Sequence, residues 1–152
     1  MQILGICGSL RKASFNMAAL RACPELMPPG MTLHIASLGD IPACPEYNFS
    51  LTAALKNAID WASRPPNQAF QDKPAAMFSC TPGPLGGARV QYDLRRILVQ
   101  LWSYPLPRPE VFIGMAPSKF DAQGKLTDET TRKFLADLLV GFKDWIARMQ
   151  KK

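Results

Sequence analysis

The 152-residue sequence predicts an α/β protein built on a parallel sheet. Short apolar runs alternate with amphipathic helical segments along the chain, a pattern typical of helices packed against a parallel sheet. Two loops of small and polar residues, 8–14 and 81–87, each follow directly on an apolar run. Ligands of such sheets bind beyond the carboxyl ends of the strands, so both loops are candidate parts of one binding site.

The N-terminal half predicts two strands and two helices. The first strand covers residues 2–7, and a helix over 15–26 follows it with Ser14 as the N-cap. Alternating apolar residues predict the second strand over 31–36. The spacing of apolar residues predicts the second helix over 52–63.

The C-terminal half predicts two further strands and two further helices. A buried strand is predicted over 73–80 and a helix over 88–101. A short last strand covers 110–113, and a turn region covers 120–127. The final helix is predicted over 128–149, with two acids in its first turn that suit the helix dipole.

Composition and charge fit a single domain over residues 1–152. Apolar residues make up 47% of the chain, but no run is long enough to span a bilayer, so we expect no membrane partner. The net charge of +6 is spread along the chain, which argues against nucleic-acid binding. Four scattered cysteines and a single histidine predict no metal site and a reducing, cytoplasmic location.

The loop after the first strand suits a phosphate. Its hydroxyl and amide side chains can hydrogen-bond phosphate oxygens, Arg11 can pair with them bidentately, and the helix N-terminus attracts an anion. The loop matches neither G-x-G-x-x-G nor the Walker A pattern, which favours a mononucleotide. Taken alone, an ordinary strand–turn–helix without a ligand is the alternative interpretation.

Four segments together carry a family resemblance. Residues 8–16 read GSLRKASFN, 45–50 read PEYNFS, 55–65 read LKNAIDWASRP and 83–87 read GPLGG. They resemble the NADPH-dependent FMN reductase family, which includes quinone and chromate reductases of flavodoxin-like fold. The resemblance covers nearly the whole chain.

The resemblance implies a flavodoxin-like doubly wound sheet, FMN as cofactor and NADPH or NADH as hydride donor. It also implies a homodimer or homotetramer and a small-molecule electron acceptor. No catalytic acid, base or nucleophile is expected, because the chemistry belongs to the cofactor. The implied cofactor-binding residues are Ser9, Arg11, Ser14 and Asn16 at the FMN phosphate, Pro45, Glu46, Tyr47 and Asn48 beside the flavin, and Thr81, Gly83 and Gly86 along its pyrimidine edge.

One region departs from the family pattern. Family members carry a helix and the central third strand before P-E-Y-N, whereas residues 37–50 here contain no apolar run able to form a buried strand. In family labels we therefore predict four strands in the order 2-1-4-5, with the third strand missing. Because unpaired edges are costly when buried, we expect residues 2–7 to pair directly with 75–80.

Two functions from different classes follow. The first is an FMN-dependent NAD(P)H oxidoreductase that passes electrons to free flavin, quinones or similar acceptors. The alternative is a shortened family remnant that folds or oligomerises, binds FMN weakly and does not catalyse. A nucleic-acid-binding protein is a third and weaker hypothesis.

Overall fold

A computed structural model describes residues 1–7, 14–36, 46 and 48–150. A short 3₁₀ turn lies between the last strand and the last helix. The elements in chain order are β1 (Gln2–Ile6), α1 (Phe15–Leu26), β2 (Thr32–Ala36), α2 (Ala53–Ala62), β3 (Pro74–Ala75), β4 (Phe78–Cys80), α3 (Ala88–Gln100), β5 (Tyr104–Pro105), β6 (Val111–Ile113) and α4 (Glu129–Met149).

The strands of the described ranges form three parallel pairs. β1 pairs with β2, with Gln2 opposite Thr32. β4 pairs with β6, with Phe78 opposite Val111, and β3 pairs with β5. The predicted α/β class with parallel strands is confirmed.

The helices agree with the sequence predictions to within one residue at each end. The strand predicted over 73–80 is wrong as a single element, because the structure divides it into β3 and β4. The division follows from the pairing: β3 pairs with β5 and β4 with β6, so the two halves have different neighbours. The two-residue β5 was not predicted.

The predicted closure of the sheet is wrong. Among the described residues, β1 pairs with β2 alone and β4 pairs with β6 alone, so residues 2–7 do not pair with 75–80. Of the predicted order 2-1-4-5 in family labels, the pair 2-1 is present as β2 with β1, and the pair 4-5 is present as β4 with β6. The pair 1-4 is absent among the described residues.

The physical reason for the interruption lies in α1, which packs over both halves. Its Leu20 and Cys23 lie in one apolar cluster with Leu33 of β2, and its Ala19 and Ala22 lie in another with the C-terminal strands. In addition, the Asn16 side chain in the first turn of α1 bonds the N–H and C=O of Cys80, groups of β4 that a neighbouring strand would otherwise pair with.

The larger core lies between α4 and the C-terminal strands. Leu135, Leu138 and Phe142 of α4 are buried with Val111 and Ile113 of β6. This core also contains Ala19 and Ala22 of α1, so it joins the N-terminal helix to the C-terminal strands. In the described ranges no helix is both long and apolar enough to cross a membrane.

Candidate functional site

The N-terminus of α1 is fixed by two polar side chains. Ser14 is the N-cap, with extended backbone, and its Oγ accepts a hydrogen bond from the Met17 N–H at 3.3 Å. Asn16 lies in the first turn, and its Nδ2 donates to the Cys80 carbonyl oxygen at 3.0 Å. The Cys80 N–H in turn donates to Asn16 Oδ1 at 2.8 Å. The predicted phosphate-binding end of α1 is thereby joined to the end of β4.

The loop after β4 begins at this junction. The Thr81 N–H donates to Ile113 O at 2.9 Å, and Thr81 Oγ1 donates to Gly83 O at 3.3 Å. A Cβ added at Gly83 would meet nothing within 4 Å, so this glycine lies at an open surface. The Asn16–Cys80 bonds thus bring the N-terminus of α1 next to the start of the loop after β4.

Gly86 lies in a different environment from Thr81 and Gly83, the other two residues predicted along the pyrimidine edge of the flavin. It is buried with φ of +60°, and a Cβ there would lie 2.7 Å from the backbone carbon of Phe112. Its carbonyl oxygen accepts a hydrogen bond from the Ser79 hydroxyl, and the Ser79 Oγ in turn accepts one from Gln91 Nε2 at 2.7 Å. Gly86 therefore sets the close approach of the loop to β6, and its predicted contact with the flavin stays a prediction.

Glu46 of the P-E-Y-N segment contacts the start of α3. Its Oε1 lies 3.2 Å from Arg89 Nη1, and its Oε2 accepts from the Val90 N–H at 3.4 Å. The helix needs this acceptor, because its N-cap residue Gly87 offers no side chain. The Arg89 guanidinium also lies 3.8 Å from the centre of the Phe49 ring. These contacts anchor the segment on α3.

Four predicted site residues lie outside the described residues: Ser9, Arg11, Pro45 and Tyr47. Asn48 is described; it is exposed in a turn and has φ of +49°. Their proposed contacts with FMN remain predictions.

The thiols of Cys80 and Cys23 are buried. Burial raises the pKa of Cys80 to about 12 although Lys119 acts in the opposite direction, and burial raises the pKa of Cys23 to about 12. A thiol with such a pKa stays protonated at neutral pH and is a poor nucleophile. In the part of the chain that the structure describes, no group of His, Cys, Asp and Glu could hold a metal ion.

Sequence reasoning missed two residues that shape the site. Gln91 is buried, and its Nε2 also donates to Val111 O at 2.9 Å. The sequence contains a signal for the burial of Gln91, because this residue stands at helical spacing with the inward residues Leu94 and Leu98. Arg89 had no such signal, because its partners lie about forty residues earlier in the chain.

Comparison with known proteins places this geometry in a family. The family model for NADPH-dependent FMN reductase matches residues 39–118. The chain is 41% identical to the NAD(P)H-dependent FMN reductase PA1204 of Pseudomonas aeruginosa, over 99% of this chain and 97% of that protein. It is 34% identical to the quinone reductase of Escherichia coli K12, over 99% of this chain and 97% of that protein.

A solved structure agrees with these matches. FerB, a flavoenzyme NAD(P)H:(acceptor) oxidoreductase from Paracoccus denitrificans, superposes with a TM-score of 0.85 at 30% identity, covering 97% of this chain and 98% of that one. Its fold is flavodoxin-like, as expected for this chain. The chain belongs to the NADPH-dependent FMN reductase family and is a homologue of NAD(P)H-dependent FMN and quinone reductases.

Proposed function

We propose that the protein is an FMN-dependent oxidoreductase that takes hydride from NADPH or NADH and passes electrons to flavins, quinones or similar acceptors. The observation that carries the proposal is the match to FMN and quinone reductases along nearly the full chain. The Asn16–Cys80 bonds support it, because they join the start of α1 to the residue that precedes the loop 81–87.

The residues at this edge fit FMN. The first N–H groups of α1, which follows β1 in the chain, have no acceptors within the helix, and a phosphate is favoured at such a helix N-terminus. We propose that Ser9, Arg11, Ser14 and Asn16 hold the phosphate there. Since the Asn16 amide already bonds Cys80, its share of that binding is to order the helix start, with Arg11 supplying the charge.

The flavin ring would lie between the P-E-Y-N segment and the loop 81–87. Glu46 is anchored on α3, and we propose that Pro45, Glu46, Tyr47 and Asn48 contact one side of the ring while the open surface at Gly83 faces the other. Bound FMN supplies the hydride and electron chemistry, and the protein supplies anchoring and an open face for donor and acceptor. Thr81 and Gly86 complete the proposed contact set along the pyrimidine edge.

We propose further that the protein works as a homodimer or homotetramer in the cytoplasm. Several large apolar side chains are exposed, among them Trp61 at 74% and Trp102 at 66%. Exposed aromatic residues are typical of protein interfaces. The buried, unpaired thiols of Cys23 and Cys80 suit a reducing compartment.

Titration of FMN into the purified protein, followed by quenching of FMN fluorescence, tests the cofactor assignment. We expect submicromolar affinity for FMN and weaker binding of riboflavin, which lacks the phosphate. Millimolar affinity, or equal affinity for both flavins, would contradict the proposed phosphate site.

The interruption between β1 and β4 favours one second candidate, a family remnant that folds without binding FMN productively. The same titration separates the two functions. The remnant predicts a cooperative unfolding transition together with millimolar FMN affinity, whereas the enzyme predicts the transition and tight binding.

A further inference from the structure

A groove with a volume of about 770 Å³ runs along one side of α1. Its first wall is the helix face that carries Phe15, Ala18, Ala22 and Glu25. These residues are three and four positions apart, so they lie on the same side of the helix. Because Ala18 and Ala22 have small side chains, they leave the space that larger residues would fill.

The second wall belongs to the segment between β6 and α4. Phe120 and Leu126 form an antiparallel bridge in this segment. Asp121 fixes the turn between them, since its Oδ1 accepts from the Gln123 N–H at 3.0 Å and from the Lys125 N–H at 2.8 Å. The second wall is therefore held in place by contacts within the protein.

The apolar part of the lining is aromatic. The Phe15 and Phe120 rings, one from each wall, lie with their centres 5.4 Å apart. Leu126, which is 1% exposed, also lines the groove. Aromatic rings pair favourably at centre-to-centre distances of about 4.5–7 Å. The lining therefore suits a ligand with an aromatic ring.

An arginine of α4 joins the two walls. Arg132 Nη1 donates to Leu126 O at 3.3 Å, and its Nη2 donates to Glu25 Oε2 at 3.3 Å. These contacts tie the α1 face to the opposite wall. They also pair the charge of Glu25 with that of Arg132 within the protein.

The charged part of the lining carries more positive than negative charge. Its three cations are Arg21, Lys125 and Arg132, and its two acids are Glu25 and Asp121. Both acids already accept hydrogen bonds from the protein, Glu25 from Arg132 and Asp121 from two backbone N–H groups. Arg21 and Lys125 are exposed, so they lie at the rim of the groove. The rim therefore attracts an anionic group.

The groove extends away from the contacts proposed for FMN. Of the described residues in that set, Ser14 alone lines the groove, and its Oγ caps α1. Asn16 bonds Cys80, and Glu46 contacts α3. Glu25, in the last turn of α1, lies about 16 Å along the helix from Ser14. A ligand in the groove would thus lie along the side of α1, with FMN at the start of the helix.

We propose that this groove binds a small aromatic carboxylate, with its ring on Phe15 and Phe120 and its carboxylate near Arg21 and Lys125. The two rings supply the apolar contact, and the two cations supply the electrostatic attraction. The groove volume is within the range of about 300–1,000 Å³ that is typical of small-molecule sites.

NMR of the isotopically labelled full chain, titrated with naphthoate, tests the proposal. We expect saturable shifts of the backbone amides of Ala18, Ala22, Gln123 and Lys125, with a dissociation constant of about 1 mM or tighter. Naphthylmethanol has the same ring and no charge, so it is the matched ligand. It should bind about threefold more weakly, or worse, because it lacks the attraction to the rim.

Three variants separate the contributions of charge and shape. Lys125→Gln removes one rim charge and should weaken naphthoate binding about three- to fivefold, with no change for naphthylmethanol. Lys133→Gln removes the same charge from α4, where the side chain is 73% exposed and pairs with Asp137, and should change neither affinity. Ala18→Leu fills part of the groove and should weaken the binding of both ligands.

Absence of saturable shifts at the groove residues would overturn the proposal, as would equal naphthoate affinity of the wild type and Lys125→Gln. Displacement of naphthoate by FMN would also overturn it, because the groove would then be part of the cofactor site. Failure of the proposed enzymatic function gives a different result, in which FMN binding or NADPH oxidation is absent and the naphthoate shifts remain.

Discussion

Asn16 and Cys80, 64 residues apart, exchange two hydrogen bonds of 2.8 and 3.0 Å between the Asn16 side-chain amide and the backbone N–H and C=O of Cys80. The amide makes to the edge of β4 the same donor and acceptor contacts that a neighbouring strand would make. A residue predicted from the sequence to bind phosphate thus has a structural role as well, because it joins the first turn of α1 to the C-terminal part of the sheet.

Asn16→Ala should destabilise the protein by about 2 kcal/mol, since it leaves the Cys80 N–H and C=O partly buried without partners. Urea unfolding measures the change. Asn57→Ala, at an exposed position of α2, is the matched control and should change stability by no more than about 0.5 kcal/mol. Equal stability of the two variants would show that the Asn16 bonds contribute nothing.

A double-mutant cycle should reveal coupling between Glu46 and Arg89. We expect about 0.5–1 kcal/mol from Glu46→Gln and Arg89→Met, because the Arg89 side chain is 41% exposed and solvent weakens the pair. The cycle on Lys133 and Asp137, a more exposed pair on α4, should give about 0.3 kcal/mol. A zero coupling at Glu46 would mean that the P-E-Y-N segment is not anchored on α3.

Asp128 should make stability depend on pH in the acid range. It caps α4, accepting from the Thr131 N–H at 2.9 Å and from Lys119 Nζ at 3.0 Å. The hydrogen bonds from Thr131, followed by that from Lys119, lower its pKa to about 2 in the folded protein. Because the folded pKa lies below the unfolded value, the stabilisation is complete above about pH 4 and is lost as pH falls toward about 2.

Asp128→Asn keeps a good capping side chain but removes this titration. Unfolding curves collected from neutral pH downward should show the variant less stable above about pH 4 and the difference shrinking toward about pH 2. Asp144→Asn removes the same charge from an exposed position of α4 and should follow the wild-type curve. A constant gap between Asp128→Asn and wild type at all pH values would refute the assignment.

Arg11→Ala should weaken FMN binding about 30- to 150-fold, as expected for the loss of a bidentate charge-assisted contact to the phosphate. Riboflavin binding should hardly change. Arg21→Ala, an exposed position of α1 with the same change in charge, is the control and should leave FMN affinity unaltered. Equal losses for FMN and riboflavin would place the effect of Arg11 in folding.

Local signals explain which predictions succeeded. α1 was placed from the sequence by its capping residue Ser14 and its apolar face, and α4 by an apolar face with two acids at its start. β5 escaped prediction because two residues, Tyr104 and Pro105, carry no periodicity. The Glu46–Arg89 pair escaped because nothing in the sequence shows which cation lies near the carboxylate.

The predicted closure of the sheet failed for a tertiary reason. The prediction rested only on the free-energy cost of unpaired backbone groups at open strand edges, and this cost favours joining β1 to β4. In the structure, α1 packs on Leu33 and on the β4 side, and Asn16 satisfies the backbone groups of Cys80 at the edge of β4. The predicted absence of the third strand falls on residues that lie mostly outside the described ones and stays a prediction.

NADPH oxidation by the purified protein with FMN and a quinone is the most direct test of the proposed function. The loss of nicotinamide absorbance should require protein and FMN, saturate with NADPH and accelerate with quinone. The Pseudomonas relative, assayed in parallel, is the positive control. A folded protein that stays colourless after incubation with FMN and oxidises no NADPH above the free-flavin background would contradict the account and support a remnant of the family.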